Sequence, residues 1–349
     1  MTGSMQRAVR SAPSALALLV FLAAAGCSGG GGDGGVLGIS GCPGALPATG
    51  ATGSVAGHGQ PQRNDGAVAV GHDSQGFFAR RTVTIENDFG GASSADFEFS
   101  TANGPVLSCA GGSGGYGLVL QLEAHGTSPQ DAQDQLGGIE VQHTDAFAGA
   151  ALKVTTQVVF HDVVNGQPVP GSGNVGNRSA SILAAMPAAP SYVLKHSTTN
   201  GDNIAQGLAG TSASLDTTNG DVALNRRWDQ ATVSATNGFA VVTGDFAQVS
   251  ASSTNGLVRA DLATTRSTTA TLNNTNGDVE AVLHRSGSPA FDLSGSTTNG
   301  SVSINVAGTQ PVGTQTDQSA HRQSPDYASN SIKIQVTASN TNGDVAIHE

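Results

Sequence analysis

The sequence predicts an all-β chain whose C-terminal part, nearly half its length, is a right-handed parallel β-solenoid, or β-helix, preceded by a β region with one short helix. Three observations carry this expectation. The tripeptide Thr-Asn-Gly occurs seven times after residue 190. Apolar residues keep fixed offsets from each copy. Charged and aromatic residues are scarce, at 12% and 4% of the 349 residues, while glycine numbers 48. A thin core of small side chains fits that composition better than a helical enzyme does.

The leader comes first. Arg7 and Arg10 form a positive start, and Ala15 to Ala25 form an apolar run too short to span a bilayer. Residues 1–26 therefore read as a signal peptide. Ala24-Ala25-Gly26-Cys27 resembles a bacterial lipobox, with Ala24 where the pattern prefers leucine. The resemblance implies that Cys27 becomes the acylated N-terminus of a lipoprotein, in the outer membrane if the cell is Gram-negative. The alternative is an ordinary secretory signal that leaves Cys27 a free thiol. Residues 27–75 are rich in glycine and read as a tether grading into the first strands. Once Cys27 is acylated, Cys42 and Cys109 remain as a possible disulfide of an exported chain.

Residues 76–190 read as an N-terminal β region. Thr82-Val-Thr-Ile-Glu-Asn-Asp-Phe-Gly90 is a strand and turn, Asp96 to Phe99 alternates, and Ala102-Asn103-Gly104 looks like an early degenerate copy of the repeat. Strands are expected at 117–125, 138–143 and 151–161. Between the first two lies a short helix, with Ser128 as N-cap, Pro129 at the first helical position and Asp131 in the first turn.

Residues 191–349 carry the repeats, with turns at Asn200-Gly201, Asn219-Gly220, Asn237-Gly238, Asn255-Gly256, Asn276-Gly277, Asn299-Gly300 and Asn342-Gly343. The asparagines lie 19, 18, 18, 21, 23 and 43 residues apart. Six residues before each stands Leu194, Ala213, Ala231, Val249, Ala270, Leu293 or Val336. Four before, the column holds His196, Leu215, Val233, Ala251, Leu272, Gly295 and Ala338. The positions between are polar, which is the period-2 alternation of a strand with one buried face. Apolar residues then recur three and five after the asparagines, with Asn203 the one polar exception and the phase moved by one. Asn-Gly supplies a corner because both residues tolerate positive φ. An antiparallel meander would need a second turn of equal regularity, and only Gly210, Gly244 and Gly287 offer one. Coils wound in parallel are therefore expected, about 4.8 Å apart, so that seven span roughly 30 Å. The parity of the asparagines points them inward, as a ladder of stacked amides.

The order of these features resembles the bacterial putative-adhesin domains of unknown function. It comprises a lipoprotein leader, the Val-Thr-Ile-Glu-Asn-Asp-Phe-Gly strand, the Pro-Gln-Asp-Ala-x-x-x-Leu helix and repeated Asn-Gly-Asp-Val strands over about residues 80–349. The resemblance implies a β-solenoid exposed at the cell envelope. It names no ligand.

No motif announces chemistry. Gly111-Gly-Ser113-Gly-Gly115 fits a nucleophile-elbow pattern, but inside a glycine run with no helix after it. The histidines lack the i, i+4 spacing of a helical zinc site. His161-Asp162 reads as a pair of exposed polar residues. Asp202, Asp221, Asp278 and Asp344 recur after Asn-Gly and could hold calcium, yet Phe239, Leu257 and Ser301 interrupt their column. Each aspartate is read instead as supporting its own turn. A polysaccharide-cleaving β-helix enzyme would need acids beside the candidate bases Arg226, Arg227, Arg259 and Arg285, and no acidic column sits consistently there. No catalytic residue, metal or cofactor is expected.

The formal charge is −11, and loss of the two leader arginines leaves about −13. A diffuse negative balance argues against nucleic acid. The expected function is non-enzymatic: a lipid-anchored envelope protein, attached to the membrane through Cys27, that presents a rigid surface to a polysaccharide or surface protein. The alternatives are the polysaccharide enzyme and a purely structural scaffold. The long interval before Asn342 holds a polar stretch, residues 310–330, expected as a degenerate coil or a protruding recognition loop.

Overall fold

The computed structural model describes residues 60–349, apart from 112–113, 171–172, 174 and 189–190. The expected leader, Cys27, Cys42 and Ser113 lie outside the described residues.

The strand segments directly before and after each Thr-Asn-Gly do not pair with each other; each pairs with its counterpart on the neighbouring coil. The strands before the corners stack in parallel as one wall: Ala151–Phe160, Ser94–Asn103, Ser191–Asn200, Gly210–Asn219, the second halves of Val222–Asn237 and Ala240–Asn255, then Thr268–Asn276. The strands after the corners form a second wall, which runs from Val106–Ala110 through Asn203–Gln206 to Val258–Ala263 and Val279–His284. The solenoid of parallel coils is thus present. Both apolar columns before the asparagines face inward, with Leu194, Leu215, Val233, Leu272 and Val336 among the buried residues, and Val222, Val258 and Val345 close the core from the other wall.

Successive coils can stack this closely because the corners are glycine. At Gly238, φ is +152°, and an added Cβ would stand 1.9 Å from the carbonyl oxygen of Gly220 on the coil below. The backbone then runs on without a break in pairing, as Gly238 donates its amide to the Asn255 carbonyl at 2.9 Å. Between copies the chain turns without a common motif, in two coils bending inside a continuous strand at Arg226 (φ +82°) and Gly244 (φ +143°).

Two boundaries and the order of the coils differ from the sequence reading. Gln62–Asp65 and Ala69–Asp73, expected as tether, are strands that pair with Gly76–Asp88. The division near 191 is not a structural break, because Asn103 stands in register beneath Asn200 and the N-terminal strands continue both walls. Nor are the coils stacked in sequence order. Lys333–Asn342 lies between Thr268–Asn276 and Ala290–Asn299, and Val345–His348 lies likewise between Val279–His284 and Val302–Asn305. The coil holding Asn299 is therefore outermost, and the C-terminus fills the slot beneath it.

The doubled interval explains itself on this topology. Ser319–Gln323 runs antiparallel along the free edge of Ala290–Asn299, and Gln310–Pro311 pairs with it. Residues 310–330 are neither a coil nor a protruding loop. They cover the edge of the stack, which would otherwise offer unpaired backbone to another chain.

The helix forms where expected, over Pro129–Gly137. Ser128 accepts the Asp131 amide at 3.1 Å, and the Asp131 carboxylate accepts the amide and hydroxyl of Thr127 at 2.7 and 2.9 Å. Those bonds hold the Asp131 carboxyl below its usual pKa. Ala132 and Leu136 seat the helix on the sheet.

Candidate binding surface

The asparagines sit outside the core rather than inside it, because the chain has already begun its corner one residue earlier. Six of the seven donate a side-chain amide to the asparagine of the adjacent coil, and Asn200, at the end of the row, donates to the Ala102 carbonyl instead. The bonds run from Asn219 to Asn200, Asn237 to Asn219, Asn255 to Asn237, Asn276 to Asn255, Asn342 to Asn276 and Asn299 to Asn342, all at 2.8–2.9 Å. An amide carries two N–H donors and two acceptor lone pairs. The ladder uses one donor and one acceptor within the stack, which leaves the others facing water at the coil spacing of about 4.8 Å.

The buried position belongs to the residue two before each asparagine, a column that the sequence reading did not single out. Thr198, Thr217, Ser253 and Thr297 each donate a hydroxyl to a corner glycine carbonyl on the adjacent coil, at 2.8–3.0 Å. Asn274 and Asn340 do the same with an amide. Its signal was available: Thr, Thr, Ala, Ser, Asn, Thr and Asn are short, and six of them can donate.

The aspartates support turns, but not their own. Asp202 accepts the amide of Asp221 at 2.9 Å, Asp221 that of Phe239 at 2.8 Å, and Asp278 that of Asp344 at 3.0 Å. Asp344 accepts both the amide and the hydroxyl of Ser301, which lowers its pKa. Burial pushes Asp221 the other way, with neighbouring Asp202 adding to the rise. In the gap between these acids, Phe239 is 40% exposed beside the amide ladder.

Individual acids meet the arginines, although they stand at different offsets in the repeat and form no column. Arg259 bonds Asp261 and Glu280, each at 3.0 Å, and Glu280 also meets His348 at 3.0 Å. Arg285 pairs with Glu349, and Arg227 lies 3.8 Å from Asp245. Arg266 bonds Asp245 and Asp229, both at 2.8 Å. These acids are held by guanidinium groups across successive coils.

Two buried groups carry their own chemistry. His196 replaces an aliphatic residue in the inward column and meets Ser108 at 2.7 Å, with both side chains sealed in the core. Burial drives its pKa down to about 3. Cys109 is disulfide-bonded, whereas Cys42, its expected partner, lies outside the described residues. His161 is not simply exposed, since its Nε2 meets Glu140 at 2.7 Å.

Two cavities lie in the N-terminal β region. The first, of about 540 Å³, is lined by His72, Phe77, His125, Asp131 and Asn177 among others. At its wall Asp73, Glu123 and His125 offer three ligand atoms within 4.8 Å of one another, a set that could hold a metal ion. Glu123 and His125 lie two apart on one strand, and Asp73 joins them from another, so the sequence shows the pair but not the set. Arg80 bonds Glu123 at 2.6 Å and approaches Asp73 at 4.0 Å, which puts a guanidinium where a cation would sit. The second cavity lies among Arg63, Arg81, Glu140 and His161.

Residues 178–348 match the family model described as Toastrack DUF4097, which bears out the resemblance to a putative-adhesin domain of unknown function. Two solved structures are similar at low scores. One is a putative cell adhesion protein from Clostridium sporogenes ATCC 15579, with 10% identity over 83% of this chain and 99% of that one, and a TM-score of 0.37. The other is a putative adhesin from Bacteroides fragilis NCTC 9343, with 11% identity over 76% and 96%, and a TM-score of 0.31. No curated protein matches the chain.

Proposed function

We propose that this chain, which belongs to the Toastrack DUF4097 family through residues 178–348, is a lipid-anchored envelope protein that works by binding and not by catalysis. Its ligand is a neutral surface polysaccharide, held along the corner ladder of the solenoid. The observation that carries this reading is the row of half-used asparagine amides with the exposed Phe239 ring in its middle. Sugar hydroxyls need donors and acceptors at fixed spacing, and an aromatic face suits the apolar face of a sugar ring. A surface already locked by its own hydrogen bonds loses little entropy when it is covered.

The anchor rests on the lipobox at Cys27. Acylation would give stable attachment where a single chain is marginal. The enzymatic alternative would use Asp261 and Glu280, but Arg259 holds both carboxylates, which favours a structural role for them. A glycan array probed with the mature chain tests the binding reading, with Phe239→Ala as its control. Retention of a neutral glycan by the wild type and its loss in the variant are expected. Polysaccharide turnover without retention would favour the enzyme, and neither outcome would favour a scaffold. Metabolic labelling with an acyl probe, lost in Cys27→Ser, tests the anchor.

A further inference from the structure

Strand Gly76–Asp88 turns Ala79, Arg81, Val83 and Ile85 to the same side. Ala79, Val83 and Ile85 are fully buried, so strand alternation places a guanidinium where an aliphatic side chain belongs. The space it enters is the second cavity, of about 470 Å³, whose walls include Ile139, Val141, His161, Pro168 and Pro170. Arg81 Nε is buried there with no hydrogen-bond partner.

The neighbouring charges are already used. Arg63 bonds Asp65 at 2.8 Å and gives a further N–H to the Val141 carbonyl at 2.9 Å. Glu140 meets His161 Nε2 at 2.7 Å. That contact leaves His161 Nδ1, and this atom too is buried without a partner. One cavity therefore brings two unsatisfied polar atoms and an apolar wall together beside the Arg63 and Arg81 guanidinium groups, with Asp65 their nearest acid. A buried donor without an acceptor opposes folding, so its retention points to an acceptor supplied from outside.

We propose that this cavity binds a sugar acid through its carboxylate. Arg81 takes the carboxylate side-on through Nε and one terminal nitrogen, the paired geometry that a guanidinium offers and an ammonium does not. His161 Nδ1 meets a ring hydroxyl, and Ile139, Val141 and the two prolines cover the apolar face of the ring. This site goes beyond the ladder reading, lies in the N-terminal unit, and takes an acidic ligand where the ladder takes a neutral one.

Calorimetric titration of the full chain with D-glucuronate, D-glucose and inorganic phosphate tests it, with a glucuronate oligomer to separate a free sugar from a polymer residue. Glucuronate, alone or within the oligomer, is expected to bind about tenfold or more tightly than glucose or phosphate. Arg81→Met restores an aliphatic residue to the inner face. It should raise the melting temperature and abolish glucuronate binding together, the trade expected of a site kept for its ligand. Phe239→Ala should leave glucuronate binding unchanged, so failure of one site is distinguishable from failure of the other. Equal affinity for glucose or phosphate, unchanged binding in Arg81→Met, or a lower melting temperature in that variant would each overturn the assignment.

Discussion

Asn342 donates its side-chain amide to Asn276 at 2.8 Å across 66 residues, and Asn299, though nearer to Asn276 in sequence, stands one coil further out and donates to Asn342. The chain thus builds its outermost coil before the coil beneath it. Closing that slot satisfies four strand edges at once, two on each wall.

Deleting residues 333–349 should therefore do more than remove a terminal repeat. The coil over Ala290–Asn305 would lose its neighbour on both walls, and with it the base on which Ser319–Gln323 rests. Hydrogen exchange should show residues 290–323 unprotected in the truncated chain. Protection that stays at wild-type level there would mean that the outer coil had slid down to stack directly on Thr268–Asn276, contrary to this expectation.

Asn237 and Gly238 are adjacent but should fail differently. Asn237→Ala removes two exposed amide bonds, for a loss of about 1–2 kcal/mol. Gly238→Ala must force a methyl group to within 1.9 Å of a backbone carbonyl at φ +152°. That needs movement of two coils, on top of roughly 1–3 kcal/mol of local strain. Urea titration should give the smaller shift for Asn237→Ala. An equal shift would show that the corners have slack.

These two residues also show what the sequence made legible. The glycine's need for positive φ and the strand alternation are local properties, and both appear in the letters. The inward parity assigned to Asn237 was wrong because alternation ends where the corner begins, a matter of backbone path. Coil order was hidden for a related reason: an interval of 43 residues fixes the length of an excursion but not where the chain returns. Asp73 reaches the Glu123 and His125 pair only through the pairing of separate strands, and Arg81 shares its cavity with Ile139 and His161 in the same way, so no spacing marks either set.

His196 predicts a pH dependence. Its folded pKa of about 3 lies below the ordinary value of 6.5, because burial opposes the charged ring. A histidine held neutral contributes no pH slope above pH 6.5. Below that, the unfolded chain takes up a proton that the folded chain refuses, so stability falls with pH by up to about 1.4 kcal/mol per unit, down to about pH 3. The double variant His196→Leu with Ser108→Ala removes the titrating ring without stranding the serine hydroxyl. Between pH 6 and 4 its stability should decline less steeply than that of the wild type. Parallel curves would show that the ring reaches water.

Trp228 offers the last test, because it is the one tryptophan of the chain and is fully buried. It stacks in register on Phe246, donates its indole N–H to the Asn225 carbonyl at 3.1 Å, and has Gly210 opposite it on the coil below. Glycine there is a packing requirement. An added Cβ would lie 2.8 Å from the indole ring and 2.1 Å from the Tyr192 carbonyl oxygen. Emission should accordingly be blue-shifted and resist iodide, and both features should vanish in one cooperative step with the unfolding of the stack. Trp228→Ala should cost roughly 3–5 kcal/mol, since the rigid walls cannot collapse onto the space it leaves. Trp228→Phe, which keeps a ring in the column, should cost clearly less. If iodide quenches the native protein as freely as the unfolded one, the two walls do not close over this coil.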